Sequence, residues 1–203
     1  MKSRYIQDFE LKKIIKHVPK EQRLPFRVAV ATGLRVGDIV KLSVSDIDDE
    51  RGGINYTAEK TGKRGFAKLS KSLRIALKEN AREGFCFPSD RSRSGHITRQ
   101  AIWRQFKNAA IRSGVDIDGV SPHSLRKNFA VALYKEGGIK AVQTALQHDR
   151  ADTTQIYAYA DFGSGENALK PLLRGDLELI VKLVVEQTIS VIQSKERSKK
   201  RGA

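Results

Sequence analysis

The sequence predicts a mainly α-helical chain with one small antiparallel β-sheet, an α+β fold. Apolar residues recur at helical spacing through most of its length, which predicts helices that each bury one face. One early stretch, "GGINYTAEK", alternates apolar and polar residues instead, and the turn-forming "KTGKRG" overlaps its end. Pro and Gly close most of the helical stretches.

The elements follow in order. "YIQDFELKKIIKHV" carries Phe9, Ile14, Ile15 and Val18 near helical spacing and stops at Pro19. "LPFRVAVATG" opens with Pro25 in its first turn and ends at Gly33, a short buried helix. "DIVKLSVSDID" predicts a turn-rich helix from Asp38. Ile54, Tyr56 and Ala58, then Phe66 and Leu69, predict a β-hairpin, with a third short strand before Gly52. "KSLRIALKENAREG" predicts a helix closed by Gly84, and "GFCFPSDRSRSGH" a polar, Arg-rich loop. "TRQAIWRQFKNAAIRSG" predicts a helix capped by Thr98, with Ile102, Phe106, Ala109 and Ala110 inward. "SPHSLRKNFAVALYKEGG" predicts another, with Ser121 as cap, Pro122 first and Gly137 as stop. "IKAVQTALQ" and "DTTQIYAYA" predict shorter helices. "DLELIVKLVVEQTISVIQSK" predicts a long terminal one striped with Leu177, Ile180, Val184 and Val191, before a basic tail. No linker divides the chain, so residues 1–165 are expected as one domain and 166–203 as a helical extension.

The charge narrows the function. Among 203 residues, 38 are Lys or Arg and 23 are Asp or Glu, a net +15 that favours a polyanionic partner, nucleic acid first. Cys86 is the single cysteine, so no internal disulfide and no Cys-based zinc cluster is expected; between Phe85 and Phe87 its role is buried packing. No run reaches the roughly 20 apolar residues of a membrane span. The first residues lack a signal peptide's apolar stretch, and a cytoplasmic protein without a membrane partner is expected.

Four groups of residues carry chemistry. In "SPHSLRKNF", His123 and Arg126 stand three apart near a helix start, on one face, where free backbone N–H groups suit a phosphate. A capping His beside a surface Arg gives the same pattern. In "ATGLRVGDIV", Arg35 lies between apolar neighbours at a helix break and must either reach solvent or find an anion; a salt bridge to an acid such as Asp38 gives the same pattern. Lys60 sits at the hairpin tip, a place for a solvated lysine or for one that reaches a bound backbone. His148 precedes "DRADTTQIYAYAD", which holds two tyrosines two residues apart. On a helix these point about 200° from each other. Tyr159 shares its side with Ile156, an anchor position, whereas Tyr157 lies with Thr153, Thr154 and Ala160.

The words "TGLRVGDIVKLSVSDID", "EKTGKRG", "PHSLRKNFA" and "LQHDRADTTQIYAYAD" together resemble the catalytic domain of the tyrosine recombinases, the phage integrase family. The likeness runs from about Thr32 to Asp161. It implies that family's catalytic-domain fold and Arg35, Lys60, His123, Arg126, His148 and Tyr157 as catalytic residues, the nine-residue step from His148 selecting Tyr157. Two positions depart from the usual pattern. Asp38 stands where Glu is commoner, and Gln147 stands where a glycine usually precedes the histidine.

The resemblance implies a 3′-phosphotyrosyl intermediate on double-stranded DNA, strand exchange without ATP, and no metal or other cofactor. Each residue type suits such a reaction. Arg35 and Arg126 would fork onto the phosphate oxygens as charge builds there. A free tyrosine has a pKa of about 10, so a base must take its proton, and His123 is the candidate. Lys60 would protonate the leaving 5′ oxygen, and His148 would hold a phosphate oxygen. Lys63, Arg64, Arg91, Arg93 and Arg99 are expected DNA contacts.

Most of that family carries a further N-terminal helical domain that completes a clamp on DNA. Arg35 lies so near the start that a short form, or a catalytic-domain fragment, is expected. Half a clamp needs assembly on DNA, so a homo-oligomer is expected, with the terminal helix docking on a neighbour or on its own core. Two other functions stay open at this point: a DNA-binding regulator with the same fold, and a type IB topoisomerase-like enzyme.

Overall fold

The computed structural model describes residues 3–146. Gln147, His148, Tyr157, Tyr159 and the expected terminal helix lie outside the described residues. The described residues form six α-helices and one three-stranded antiparallel sheet: α1 (Asp8–Lys16), α2 (Leu24–Thr32), α3 (Val36–Val40), β1 (Ile47–Asp48), β2 (Gly53–Thr57), β3 (Arg64–Lys68), α4 (Lys71–Asn80), α5 (Arg99–Ser113) and α6 (Pro122–Leu146). The strands lie in sequence order, with Ile47 opposite Ile54, Ile54 opposite Ala67 and Tyr56 opposite Gly65. The expected hairpin and the third strand before Gly52 are both present.

The core forms where the apolar stripes converge. Phe26 of α2 stacks on Phe106 of α5 with ring centroids 5.6 Å apart, and Ile14, Ile39, Ile54, Leu77 and Leu125 close around them. Ile102, Phe106, Ala109 and Ala110 all face inward as expected. The N-terminal segment is tied to α6 by a buried amide: Asn128 accepts from the Ile6 N–H at 3.2 Å and donates to its carbonyl at 2.6 Å. A buried amide paired in this way avoids the cost of orphaned polar groups. Arg4 adds a bidentate grip on Glu10, at 2.9 and 2.8 Å, and donates to the Asp118 and Asp116 carbonyls. Glu10 also accepts from the N–H of Gln7, which fixes the start of α1.

Several local expectations are corrected. Phe9 is 71% exposed, because Ile14, Leu11, Ile15 and Val18 satisfy the inward period of α1 without it. The helix after Gly33 begins at Val36 rather than Asp38, capped by Arg35 in extended conformation. It ends at Val40, and a short 3₁₀ turn, Val44–Asp46, replaces its expected continuation. Helix α4 stops at Asn80, short of Gly84. The Asn80 amide donates to the Cys86 carbonyl at 2.8 Å, and the Cys86 N–H donates to Leu42 at 2.8 Å, which draws the chain into an extended path. Ser121 does stand at the N-cap of α6, just before Pro122, and its N–H donates to the Ser124 hydroxyl at 3.3 Å. The break expected at Gly137 falls at Gly138, whose φ of 67° interrupts α6.

Thr98 does cap α5, accepting from the Ala101 N–H at 3.1 Å. Cys86 is fully buried, and burial pushes its thiol up to about 12, consistent with packing rather than reactivity.

Candidate active site

An open cleft of about 710 Å³ runs between the start of α3, the β2–β3 turn, the first turns of α5 and the N-terminus of α6. Arg35, Lys60, His123 and Arg126 all line it, brought together from three separate parts of the chain. Asp38, Glu59, Arg99, Gln100 and Trp103 complete its polar and aromatic wall.

Local structure explains each placement. Helix α2 ends at Gly33 in the left-handed conformation, φ 63°. A Cβ at that position would lie 2.2 Å from Cδ1 of Phe129, so only glycine fits both the backbone and the ring. Leu34 is then buried, and its N–H donates to the Thr32 hydroxyl at 3.3 Å. The chain next turns into α3, in which the N–H groups of Asp38 and Ile39 donate to the Arg35 carbonyl. Arg35 therefore projects from a fixed helix break. It makes no ion pair with Asp38. The buried Asp38 carboxylate accepts instead from the Glu59 N–H at 2.9 Å through Oδ1, and its Oδ2 has no partner among the described residues.

Arg126 is 4% exposed, and its guanidinium donates to the carbonyls of Gly33 at 2.6 Å and Leu146 at 2.8 Å. These bonds hold its planar fork in one orientation. His123 stands one turn earlier on α6, at the cleft surface. Burial by the surrounding mass, then the charges of Arg126, Lys127 and Arg35, hold its pKa below the ordinary histidine value. A lowered value leaves the imidazole neutral at neutral pH. Burial raises the pKa of Tyr56, which also feels Arg126, Asp38 and Arg35, so that phenol stays protonated beside the arginines.

Lys60 stands in a hydrogen-bonded turn. The Thr61 and Gly62 N–H groups donate to the Ala58 carbonyl, and the Ala58 N–H donates to Lys63 at 2.9 Å. Ala58 is 1% exposed, so the base of the turn is buried. Of the expected DNA contacts, Arg99 lines the cleft. Lys63 and Arg64 are exposed on the same hairpin as Lys60, and Arg91 and Arg93 are exposed on the α4–α5 loop, all outside the cleft lining. Trp103 was not singled out from the sequence, yet it is 52% exposed on the cleft wall, with Lys107 Nζ 5.9 Å from its ring centroid. Arg99, Trp103 and Lys107 are spaced four apart, and this single-face pattern was the available signal.

The phage integrase family model matches residues 4–163. Tyrosine recombinase XerD of Yersinia pestis is 35% identical over 144 residues, covering 65% of this chain and 47% of that protein. The chain thus spans about half the length of the curated relatives it matches. A crystal structure of XerA recombinase superposes with a TM-score of 0.66 at 25% identity, covering 86% of this chain and 64% of that one. A lambda integrase dimer bound to a COC′ core site gives 0.67 at 28% identity, covering 80% of this chain and 49% of that one. Together with the cleft, these matches assign the fold, and the chain belongs to the phage integrase family.

Proposed function

We propose that the chain is the catalytic domain of a site-specific DNA recombinase that cuts and rejoins double-stranded DNA through a 3′-phosphotyrosyl intermediate. The observation that carries this reading is the convergence of Arg35, Lys60, His123 and Arg126 on one cleft. The similar lambda integrase structure is itself a dimer on a DNA core site, and another is a tetramer on a Holliday junction. Assembly of this chain on DNA in the cytoplasm is part of the proposal.

The residues divide the reaction as follows. Arg35 and Arg126 bind the non-bridging oxygens of the scissile phosphate and neutralise charge as phosphorus becomes pentavalent. His123 takes the phenolic proton of Tyr157 as that oxygen bonds to phosphorus. The bond from phosphorus to the 5′ oxygen breaks, and Lys60 gives that oxygen a proton. His148 holds a phosphate oxygen. Attack by a 5′-hydroxyl of a second strand then reverses the steps and releases the tyrosine.

The test begins with a pool of nicked duplexes carrying a randomised centre, incubated with the full chain. A covalent adduct on a denaturing gel, and one enriched sequence in the trapped strand, are expected. Sequence-selective binding without any adduct would favour a regulator. Relaxation of supercoiled plasmid without sequence preference would favour a topoisomerase.

A further inference from the structure

An acidic side chain in a cleft that receives DNA phosphate works against binding unless it has another task. Glu59 is such a residue. It lines the cleft immediately before Lys60, and three contacts fasten it to α3 and to Lys41, which ends that helix. Its N–H donates to Asp38 Oδ1 at 2.9 Å. Its carboxylate pairs with Lys41 Nζ at 3.0 Å. Its other carboxylate oxygen rests over Gly37, where an added Cβ would come within 2.8 Å of it. The same short helix, α3, is capped by Arg35.

We infer that Glu59 is a positioning residue that docks the Lys60 turn onto α3, and so sets the proposed general acid relative to Arg35. The inference rests on the recombinase reading of the site. Exposed ion pairs contribute little to stability, so the expected role of the Lys41–Glu59 pair is geometric. Proton transfer to a leaving oxygen depends steeply on position, so a small displacement of the turn is costly to rate. Lys41, and after it the nearby Arg99, hold the Glu59 carboxyl below its usual range, which keeps the pair ionised at neutral pH.

The test compares two versions of the trapped duplex, one with the natural 5′ oxygen at the scissile phosphate and one with sulfur there. A thiolate leaves without a general acid, so a defect that acts through Lys60 disappears on the sulfur substrate. Adduct formation by Glu59→Ala is expected to fall about 10-fold on oxygen and to recover on sulfur. Lys41→Ala, and Gly37→Ala through displacement of the carboxylate, should show the same selective loss. Lys60→Ala is the reference and should lose more, with the same recovery. Equal loss on both substrates in Glu59→Ala, or no loss on either, would overturn the role of Glu59 while leaving Lys60 intact. Failure of Lys60→Ala to recover would remove the general-acid reading itself, and this role with it.

Discussion

The buried Arg126 guanidinium donates to the carbonyl of Gly33 at 2.6 Å, 93 residues earlier in the chain. One turn further along α6, the Phe129 ring lies against the bare Cα of the same glycine. A single helix-ending residue thereby sets both the approach of α6 to α2 and the orientation of a proposed phosphate clamp. Gly33→Ala is expected to destabilise the fold by about 2–4 kcal/mol, from left-handed backbone strain plus the clash with Phe129. Denaturant midpoints measure this. Arg126→Lys keeps the charge but cannot reproduce a planar fork with two fixed carbonyl bonds, so adduct formation should fall about 10²–10³-fold.

In the mechanism proposed above, His123 is the base that sets an acid limit on cleavage. Its pKa is held below the usual histidine value by burial and by Arg126, Lys127 and Arg35, so it is neutral and competent until pH falls through that lowered value. The acid limb of kcat/KM for adduct formation should therefore lie below about pH 6.5. His123→Gln should remove that limb. A limb centred above it in the wild type would contradict the assignment.

The Arg4–Glu10 pair predicts where acid weakens the fold. The hydrogen bond from Arg4 holds the Glu10 carboxyl below the usual carboxylate range, against an opposing contribution from burial. A depressed folded-state pKa means its stabilisation is complete above the unfolded value of about 4.3 and is lost as pH falls through the folded one. Glu10→Gln should cost about 1 kcal/mol at neutral pH, and the difference from wild type should shrink below about pH 4. Paired urea titrations across that range check both.

Arg99 lines the cleft, whereas Arg91 and Arg93 lie on the preceding loop. If Arg99 meets a phosphate, Arg99→Ala should flatten the slope of log affinity against log salt by about 0.9 on duplex DNA. Fluorescence anisotropy with the trapped duplex over a salt series measures the slope. An unchanged slope would remove Arg99 from the contact set.

Much of this arrangement was legible in the sequence. Period and punctuation placed α1, α2, α5 and the hairpin, and the family resemblance of a few short words marked Arg35, Lys60, His123 and Arg126, which line one cleft. What escaped depends on contacts between distant residues. Asn80 bonds to Cys86 and ends α4 before its apparent stop. Asp38, which seemed available to Arg35, is engaged instead by the backbone of Glu59, 21 residues away. Glu59 itself resembles any hairpin acid until its fold neighbours are known. Phe9 shows the opposite failure, an apolar residue near the right spacing on a helix that already has a full inward face.

Tyr157 is the nucleophile of the proposed reaction. The most direct measurement is mass spectrometry of the peptide that carries the trapped nucleotide, in wild type, Tyr157→Phe and Tyr159→Phe. The modification is expected on Tyr157, with loss in Tyr157→Phe and persistence in Tyr159→Phe. An adduct that survives in Tyr157→Phe, or that maps to another residue, would contradict it.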